Sequence, residues 1–489
     1  MSFISVTFYL FFIAVLAIYH LSPKKYRYLI LLISSYLFYG WAEHKVVFIL
    51  LLTTGITYVG GRVLERRPST RLYALFFILN MSVLLVFKYT NFAISNLNKI
   101  AIALNPLWNS IPALKIILPI GLSFYVFQST SYLSDVYRGR IKPEYNFLKY
   151  ASFVSFFPTL LSGPIQKARD LLPQVINPGD VDFEQGRKGF ILFVWGIFQK
   201  LVVANSLAII INHTFKNINA IPLNQQTAFC IISAVSFSLY IYADFSSYSD
   251  LARGVAKLLG IEIGRNFNNP YLSTSTSEFW RRWHVSLNDW FIENIYIPLG
   301  GNRKGILRKY LNVFSVFFIS GLWHGASWNF VVWGCVNGIF VIVGQLLKPL
   351  KQVIYKKINV DENVESIVWI NRIIVFWLIT ITWVFFKNDI NSSLYIIRKI
   401  TIFSPIRLFV PEVLTISGAA VSTFLTYIAT IFFCFVQFHR QDEAKTYMIF
   451  KRQPVGIQML LMAILLYISI FVWAAAGTTV NTDYLYFQF

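Results

Sequence analysis

The sequence is poor in charged residues. Only 13% of its 489 residues are Asp, Glu, Lys or Arg, whereas 56% are hydrophobic and 18% are aromatic. A soluble domain carries about 25% charged residues on average, so this composition excludes an ordinary soluble protein. Many apolar runs approach the ~20 residues that cross a bilayer core of about 30 Å, and no extended polar stretch marks off a soluble domain. We therefore expect an all-α, polytopic membrane protein with a single domain over residues 1–489.

Cysteine is also scarce, and common catalytic motifs are missing. Cys230, Cys335 and Cys434 lie far apart inside apolar segments, which excludes a disulfide framework and a metal knuckle. The sequence contains no P-loop, GxGxxG, HExxH or serine nucleophile elbow. We therefore expect no metal and no bound cofactor.

Basic residues are the exception to the shortage of charge. The chain has 43 Lys and Arg against 22 Asp and Glu, a net charge of +21. In a soluble protein this excess would suggest nucleic-acid binding. Here the basic residues lie in short loops between apolar runs, where they set orientation and attract anionic lipid headgroups. We therefore expect membrane lipid, and no nucleic acid, as a partner.

Run length and Lys/Arg bias predict ten plain crossings, with the N-terminus outside and the first crossing in place of a removable signal peptide. The crossings are expected near residues 4–22, 26–42, 46–60, 73–88, 114–134, 190–212, 226–248, 367–387, 413–437 and 457–476. Residues 147–169 instead resemble a re-entrant segment, because they contain Pro158, Gly163 and Pro164 between basic ends. Residues 301–347 also fit no plain crossing, since both ends are strongly basic.

The stretch GLWHGASWN, residues 321–329, places an ionisable ring inside this last segment. A helix from Tyr310 to Gly321 would rise about 16 Å, half of a roughly 30 Å core. His324 is therefore expected near the membrane midplane, where burial favours the neutral imidazole that a general base requires. Gly321 and Gly325 permit a helix break and a close backbone approach. The alternative is a histidine that only hydrogen-bonds to a neighbouring helix.

Residues 275–302 predict one amphipathic helix at the cytoplasmic interface. Ser275, with a glutamate three residues later, has capping-box spacing, and aromatic residues then recur on one face. His284 lies on this aromatic face. Either it packs within the protein, or the helix lines a cavity in which Arg281 and Arg282 attract a phosphate-bearing or thioester donor and His284 positions it.

Two sequence blocks resemble the membrane-bound O-acyltransferase superfamily, and within it the branch of the alginate O-acetyltransferase membrane subunits. They are FWRRWHVSLNDWFIENIYIPLGGNRKG at 279–305 and GLWHGASWNFVVWG at 321–334. Further similar blocks extend the resemblance over nearly the whole chain. They are SFYVFQSTSYLSDVYRG at 123–139, FFPTLLSGPI at 156–165, YADFSSYSDLARGVAKLLG at 242–260 and the terminal YLYFQF.

The resemblance implies a ring of about 10–12 transmembrane helices, with re-entrant and amphipathic helices, around a central funnel with a thin floor. It implies that His324 is the catalytic histidine and His284 the second histidine of a catalytic region at 275–334. It further implies an acyl thioester donor such as acetyl-CoA, a polysaccharide acceptor and a periplasmic or extracellular acetyltransferase partner. The implied location is the bacterial inner membrane.

On this interpretation, His324 deprotonates a hydroxyl that attacks the acyl carbon, and Asn288, Asn329 or a backbone amide stabilises the oxyanion. The residues expected to bind substrate are Arg281, Arg282, Asn288, Asp289, Trp323 and Asn329. Three alternatives remain open at this point. They are transfer of D-alanyl or another acyl group to a cell-envelope polymer, acylation of a lipid or protein by the same fold, and transport of an acyl or glycan substrate.

Overall fold

The computed structural model describes residues 1–41, 43–401, 420–476 and 484–485, and in these ranges it is helical with no strand. The helices of the first part of the chain are α1 (Val6–Leu21), α2 (Arg27–Gly40), α3 (Val46–Arg66), α4 (Thr70–Leu104), α5 (Leu122–Tyr137), α6 (Phe147–Val154), α7 (Phe157–Leu160), α8 (Ala168–Ile176), α9 (Phe183–Phe198), α10 (Asn205–Asn217) and α11 (Leu223–Leu258). A π-helical turn, Gln199–Ala204, joins α9 to α10 without a break. The expected all-α fold is confirmed.

The second part of the chain contains shorter and broken helices before it returns to long ones. They are α12 (Thr276–Arg282), α13 (Val285–Phe291), α14 (Ile306–His324), α15 (Trp328–Lys357), α16 (Glu365–Lys387), α17 (Ile390–Thr401), α18 (Ala420–His439), α19 (Glu443–Lys451) and α20 (Val455–Ala476). A second π-helical turn, Ile292–Tyr296, follows α13.

Seven helical segments of the described chain are long and apolar enough to cross a membrane. They are Val46–Arg66, Thr70–Leu104, Phe183–Phe215, Leu223–Leu258, Trp328–Lys357, Glu365–Lys387 and Val455–Ala475. Two shorter apolar helices, Val6–Leu21 and Thr423–His439, accompany them. The chain is therefore a multi-pass membrane protein, and each of these nine segments except Trp328–Lys357 overlaps one of the ten expected crossings.

The crossing expected at 114–134 is wrong as a single helix, because residues 105–121 are not helical and α5 begins only at Leu122. Prolines at 106, 112 and 119 remove backbone donors from this stretch. The side chain of Asn91 in α4 supplies hydrogen-bond partners for this non-helical backbone. It donates to the carbonyl of Leu114 at 2.9 Å and accepts from the amide of Leu114 at 2.8 Å. Of the crossing expected at 413–437, residues 413–419 lie outside the described residues.

The segment expected to be re-entrant, 147–169, forms short buried helices separated by breaks. Side chains from other elements bind the backbone that the breaks expose. Ser35 Oγ accepts from the amide of Phe157 at 3.0 Å, and the Gln128 amide donates to the carbonyl of Phe153 at 2.7 Å. Buried non-helical backbone in a membrane protein requires such partners, so the packing agrees with the predicted departure from a plain crossing.

The long helix α11 forms the centre of the molecule, packing against α9, α10, α16 and α17. Most of its side chains are buried. They include Asp244, whose carboxylate lies 2.7 Å from the Lys200 ammonium, both side chains being 1% exposed. The next residue, Phe245, reaches the candidate site described below.

Candidate active site

His324 is the last residue of α14, and its ring is enclosed by aromatic side chains. The helix stops there because Gly325 takes up an extended backbone. His324 is 5% exposed, and the ring centroids of Trp333 and Phe386 lie 4.9 and 5.1 Å from its own. Trp323 lies 4.9 Å away by the same measure. The sequence expectation of a buried histidine at a helix break is therefore met.

Two side chains of α4 bind the carbonyl groups at the end of α14. Lys88 Nζ donates to the carbonyl of Trp323 at 2.5 Å and to that of His324 at 3.1 Å. The Tyr89 hydroxyl donates to the carbonyl of Leu322. The last carbonyls of a helix have no partner within the helix, and a cation is favourable at this negative end. Lys88 and Tyr89 therefore hold the backbone that carries the His324 ring.

Sequence reasoning missed Lys88 and Tyr89. The signal that could have found them is a lysine inside the apolar run SVLLVFKYTNF, residues 82–92. An ionisable residue within a membrane span is itself a functional-site indicator.

Three glycines allow α14 and α15 to approach closely around the histidine. A Cβ atom at Gly321 would overlap the backbone carbonyl of Phe330, and one at Gly325 would overlap the Phe330 ring. A Cβ at Gly334 would overlap the carbonyl of Phe317 in the same way. The glycines therefore permit the helix break and the close backbone contact, as the sequence pattern predicted.

The single amphipathic helix expected over 275–302 is wrong. Its predicted start is correct, since Ser275 Oγ accepts from the amide of Glu278 at 3.1 Å. The helix then breaks after Arg282, and His284 takes left-handed angles of φ 45° and ψ 54°. A neighbouring loop holds this break open, because the Asn266 carbonyl accepts from the amide of Val285 at 2.9 Å.

The break also changes where the aromatic side chains point. Trp283 and Trp290 are 2% and 4% exposed. They therefore lie within the protein and not at the lipid headgroup level that an interfacial helix would give them.

The break places His284 beside the same tryptophan that contacts His324. The centroid of the His284 ring lies 4.6 Å from that of Phe245, 6.3 Å from that of Phe124 and 6.0 Å from that of Trp323. His284 is 3% exposed and lies outside the seven candidate spans. Burial lowers the pKa of His284 to about 3, so this ring is neutral near pH 7. The structure thus brings the two predicted histidines together around Trp323.

A small cavity is lined in part by His324. Its volume is about 40 Å³, and its lining includes Lys88, Ser123, Trp323 and His324. About 10–15 Å³ of such cavity space holds one water molecule, so the cavity has room for about three water-sized groups. The rest of its wall comes from residues 118–124, where the non-helical stretch enters α5.

The two arginines of the Arg-Arg-Trp-His sequence have different surroundings. Arg281 is exposed, in keeping with a group that could attract a donor. Arg282 pairs with Glu278 at 2.5 Å and also donates to the carbonyl of Asn268 at 3.5 Å. The charge of Arg282 is therefore largely neutralised within the protein.

The remaining predicted substrate-binding residues are mostly engaged in structural contacts. The Asn329 amide donates to the carbonyl of Phe385 at 3.0 Å, tying α15 to α16, so the oxyanion role expected for it is not supported by this geometry. Asp289 accepts from Lys167 at 3.2 Å. The backbone amide of Asn288 donates to the carbonyl of His284 at 3.0 Å. Only Trp323, among the six predicted substrate-binding residues, has a ring contact with both histidines.

A charged cluster that sequence reasoning also missed fixes the end of the broken helix. Glu293, in the π-helical turn after α13, accepts from Arg140 at 2.6 Å and from Lys167 and Arg169 at 2.9 Å each. Partial burial raises the pKa of Glu293, but these hydrogen bonds outweigh it and hold the pKa well below its usual range. Arg169 also donates to Asp135 of α5 at 2.7 Å. The cluster therefore anchors the segment that carries His284 to α5 and α8.

In the described ranges, no group of three or more His, Cys, Asp or Glu residues is placed so that it could hold a metal ion. The three cysteines are free, with Cys230 buried, Cys335 half-buried and Cys434 exposed.

The chain is similar to one family model and to several known proteins. The model of the membrane-bound O-acyltransferase family matches residues 129–388. The "Probable alginate O-acetylase AlgI" of Pseudomonas aeruginosa is 34% identical over 448 residues, which cover 89% of this chain and 82% of that protein. The peptidoglycan O-acetyltransferase of Helicobacter pylori is 31% identical over 400 residues, 75% of this chain and 72% of the relative. The teichoic acid D-alanyltransferase of Bacillus subtilis is 25% identical over 235 residues, 45% of this chain and 58% of the relative.

Proposed function

The chain belongs to the membrane-bound O-acyltransferase family and is an O-acyltransferase, and on this premise we propose that it acetylates a polysaccharide of the cell envelope. The donor is a cytoplasmic acyl thioester such as acetyl-CoA, and the final acceptor is an exported, alginate-like polymer. The relatives named for O-acetylation of alginate and peptidoglycan support this acceptor class. A donor from inside and an acceptor outside require a location in the bacterial inner membrane.

The observation that carries the proposal is that the Trp323 ring contacts both His324 and His284, while Trp323 and His324 line a small cavity. In the proposed reaction His324 takes the proton of the acceptor hydroxyl, whose oxygen then attacks the acyl carbon of the thioester. The carbon–sulfur bond breaks, the thiolate leaves, and the imidazolium returns the proton to the sulfur. The acyl group ends as an ester on the acceptor hydroxyl. The step requires no oxidant or reductant.

Lys88 takes the place of Asn329 as the proposed electrostatic stabiliser of the oxyanion. Its ammonium has three donors, two of which bind the helix-end carbonyls of Trp323 and His324. The same side chain lines the cavity at His324. A hydrogen-bond donor held in place in a site that excludes water stabilises developing negative charge more than it would in bulk solvent.

His284 and Trp323 are proposed to position the donor. The ring of Trp323 contacts both histidines, so a thioester that lies against it is held between the two. Such orientation accounts for a large share of the rate in enzymes that bring two substrates together. Arg281, being exposed, is proposed to attract the phosphates of the donor toward the site.

The size of the cavity favours a short acyl group. About 40 Å³ at His324 accommodates an acetyl group, whereas an octanoyl or palmitoyl chain needs several times that volume. D-alanyl transfer to an envelope polymer is the second candidate, because a teichoic acid D-alanyltransferase is among the relatives. We further propose a single domain over residues 1–489 and a periplasmic or extracellular acetyltransferase partner that completes the transfer.

Mass analysis of envelope polysaccharide tests the acceptor and the acyl group together. Cells that carry the wild-type chain are compared with cells that lack it and with cells that carry His324→Ala. We expect acetyl esters on a polymer from the wild type only. Alanyl esters in place of acetyl esters would move the assignment to the second candidate, and unchanged acetylation in all three strains would refute the proposal.

Donor competition tests the acyl length in the purified enzyme. Acetyl, octanoyl and palmitoyl thioesters are offered together with the acceptor polymer, and the ester products are separated by mass. Acetyl should be preferred. A preference for the long chains would instead support a lipid- or protein-acylating enzyme.

A further inference from the structure

A second cavity, far larger than the one at His324, lies between the C-terminal helices and the core. Its volume is about 1480 Å³, which exceeds the roughly 300–1,000 Å³ of small-molecule sites. It is lined by α9, the π-helical turn and α10 on one side and by α18 and α20 on the other. None of the residues assigned to acyl transfer lines it.

The walls of this cavity are mostly apolar, and some of the side chains that form them are exposed at the protein surface. Phe432 of α18 and Phe471 of α20 line it and are 41% and 60% exposed. Along α18 the lining runs from Arg440 to Leu425, a rise of about 22 Å at about 1.5 Å per residue. That length exceeds one leaflet, about half of a 30 Å hydrocarbon core. The cavity is therefore long enough to hold the acyl chains of a lipid.

One end of the cavity is charged, with a positive balance. Four basic side chains that line this end form ion pairs with three acidic ones that also line it, which leaves a net charge of +1. They are Lys188, Arg253, Lys257 and Arg440 with Glu184, Glu262 and Glu443. An anionic headgroup at this end would complete the charge balance, and basic pockets between membrane helices commonly bind such lipids.

Lys188 is the basic residue best placed to bind that headgroup. Its ammonium lies 3.9 Å from Glu184, at the outer limit of an ion pair, and its side chain is 42% exposed. The same ammonium lies 4.8 Å from the centre of the Tyr447 ring. By contrast, Arg253 and Arg440 each bind both Asp250 and Glu443. Lys188 thus has the weakest ion pair of the cluster.

We propose that this cavity binds one anionic glycerophospholipid, with its acyl chains between α10, α18 and α20 and its phosphate at Lys188. The proposal does not depend on the acyl-transfer reaction. A bound lipid would fill the space between the C-terminal helices and the core, and so would stabilise their packing.

Native mass spectrometry of the purified, delipidated full chain tests the site. Phosphatidylglycerol and phosphatidylcholine of the same chain length are added in turn. We expect one phosphatidylglycerol to remain bound under activation that strips phosphatidylcholine. Lys188→Glu should weaken phosphatidylglycerol binding roughly ten-fold. The matched control, Lys348→Glu, changes an exposed lysine outside the cavity and should leave binding unchanged.

A second variant tests the acyl-chain part of the cavity without changing charge. Ala208 and Ala429 line the cavity from α10 and α18, and replacing both with phenylalanine should narrow the space for the acyl chains and weaken retention of the lipid. A thermal melt of each variant checks that it is folded.

Three outcomes would overturn the proposal. One is equal retention of the two lipids, which would indicate ordinary surrounding lipid. Another is an equal loss of binding in Lys188→Glu and Lys348→Glu. The third is a dimer that is lost when the cavity is filled, which would identify a second copy of the chain as the occupant.

Discussion

At the scale of single residues, the two histidines are placed by different physical means. His324 ends a helix whose last carbonyls are bound by Lys88 and Tyr89. His284 lies at a helix break with a left-handed backbone, which few residues other than glycine and asparagine adopt readily. The ring positions therefore depend on neighbours that a local sequence motif does not reveal.

Replacing Lys88 with methionine should reduce acyl transfer at least ten-fold, because the helix-end carbonyls of Trp323 and His324 lose their hydrogen-bond donor. The loss should also lower the free energy of unfolding by about 1–3 kcal/mol, the usual effect of leaving buried polar groups without a partner. Steady-state transfer and thermal melting measure the two effects. Lys99→Met, at an exposed position of the same helix, is the matched control. Equal activity of the two variants would contradict the proposed role.

His284 should make the protein less stable in acid. Its folded-state pKa is about 3 because burial disfavours the imidazolium, whereas an unfolded histidine titrates near 6.5. Between these values the unfolded chain binds a proton that the folded chain does not, so stability falls as pH drops below about 6.5, by up to about 1.4 kcal/mol per pH unit. His284→Asn tolerates the left-handed backbone and should flatten this dependence, as melts between pH 7 and pH 5 would show. An unchanged slope would refute the assignment.

At the scale of elements, the crossing of α14 and α15 decides where the His324 ring lies. Glycines at 321 and 334 bring the two backbones into contact, and Gly325 ends the first helix. The break between α14 and α15 follows from the sequence, because glycines bracket a Trp-His pair. The break between α12 and α13 could not be predicted in this way. It depends on a hydrogen bond to the loop at Asn266, which lies outside the helical pattern of residues 275–302.

Gly321→Ala should displace the end of α14, because the new methyl group meets the carbonyl of Phe330, which cannot rotate away. We expect a loss of about 1–3 kcal/mol in unfolding free energy, as in other overpacked cores, together with a large loss of activity. Gly55→Ala is the control, since nothing lies within 4 Å of the added methyl group. That substitution should be neutral or slightly stabilising. If both variants behave alike in melting and activity assays, the close crossing does not position the site.

At the scale of the whole molecule, composition and run length were sufficient to predict a multi-pass membrane protein. The motif around His324 and the blocks at 123–139 and 242–260 predicted the family, which the comparisons confirm. The non-helical stretch 105–121 was missed because its apolar residues resemble a crossing, although side chains of α4 satisfy its backbone. The lysine at position 88 stands out within its apolar run, but its contact with the end of α14, far away in sequence, could not be predicted. Contacts between distant segments leave little local signal.

The two cavities suggest a division of the molecule into two parts. The part built around α4, α5, α11 and the broken helices holds the histidines and a small cavity suited to a short acyl group. The C-terminal helices α18 and α20 border the larger apolar cavity. Acyl transfer and lipid binding can therefore be tested by separate substitutions.

Consumption of acetyl-CoA by the purified protein in proteoliposomes supplied with the alginate-like acceptor polymer tests the central claim most directly. Wild type is compared with His324→Ala and with His213→Ala, which changes an exposed histidine of α10. The account predicts that wild type and His213→Ala consume the thioester at equal rates, while His324→Ala loses at least a hundred-fold, the lower range for removal of a general base. Equal consumption by His324→Ala and wild type would contradict it.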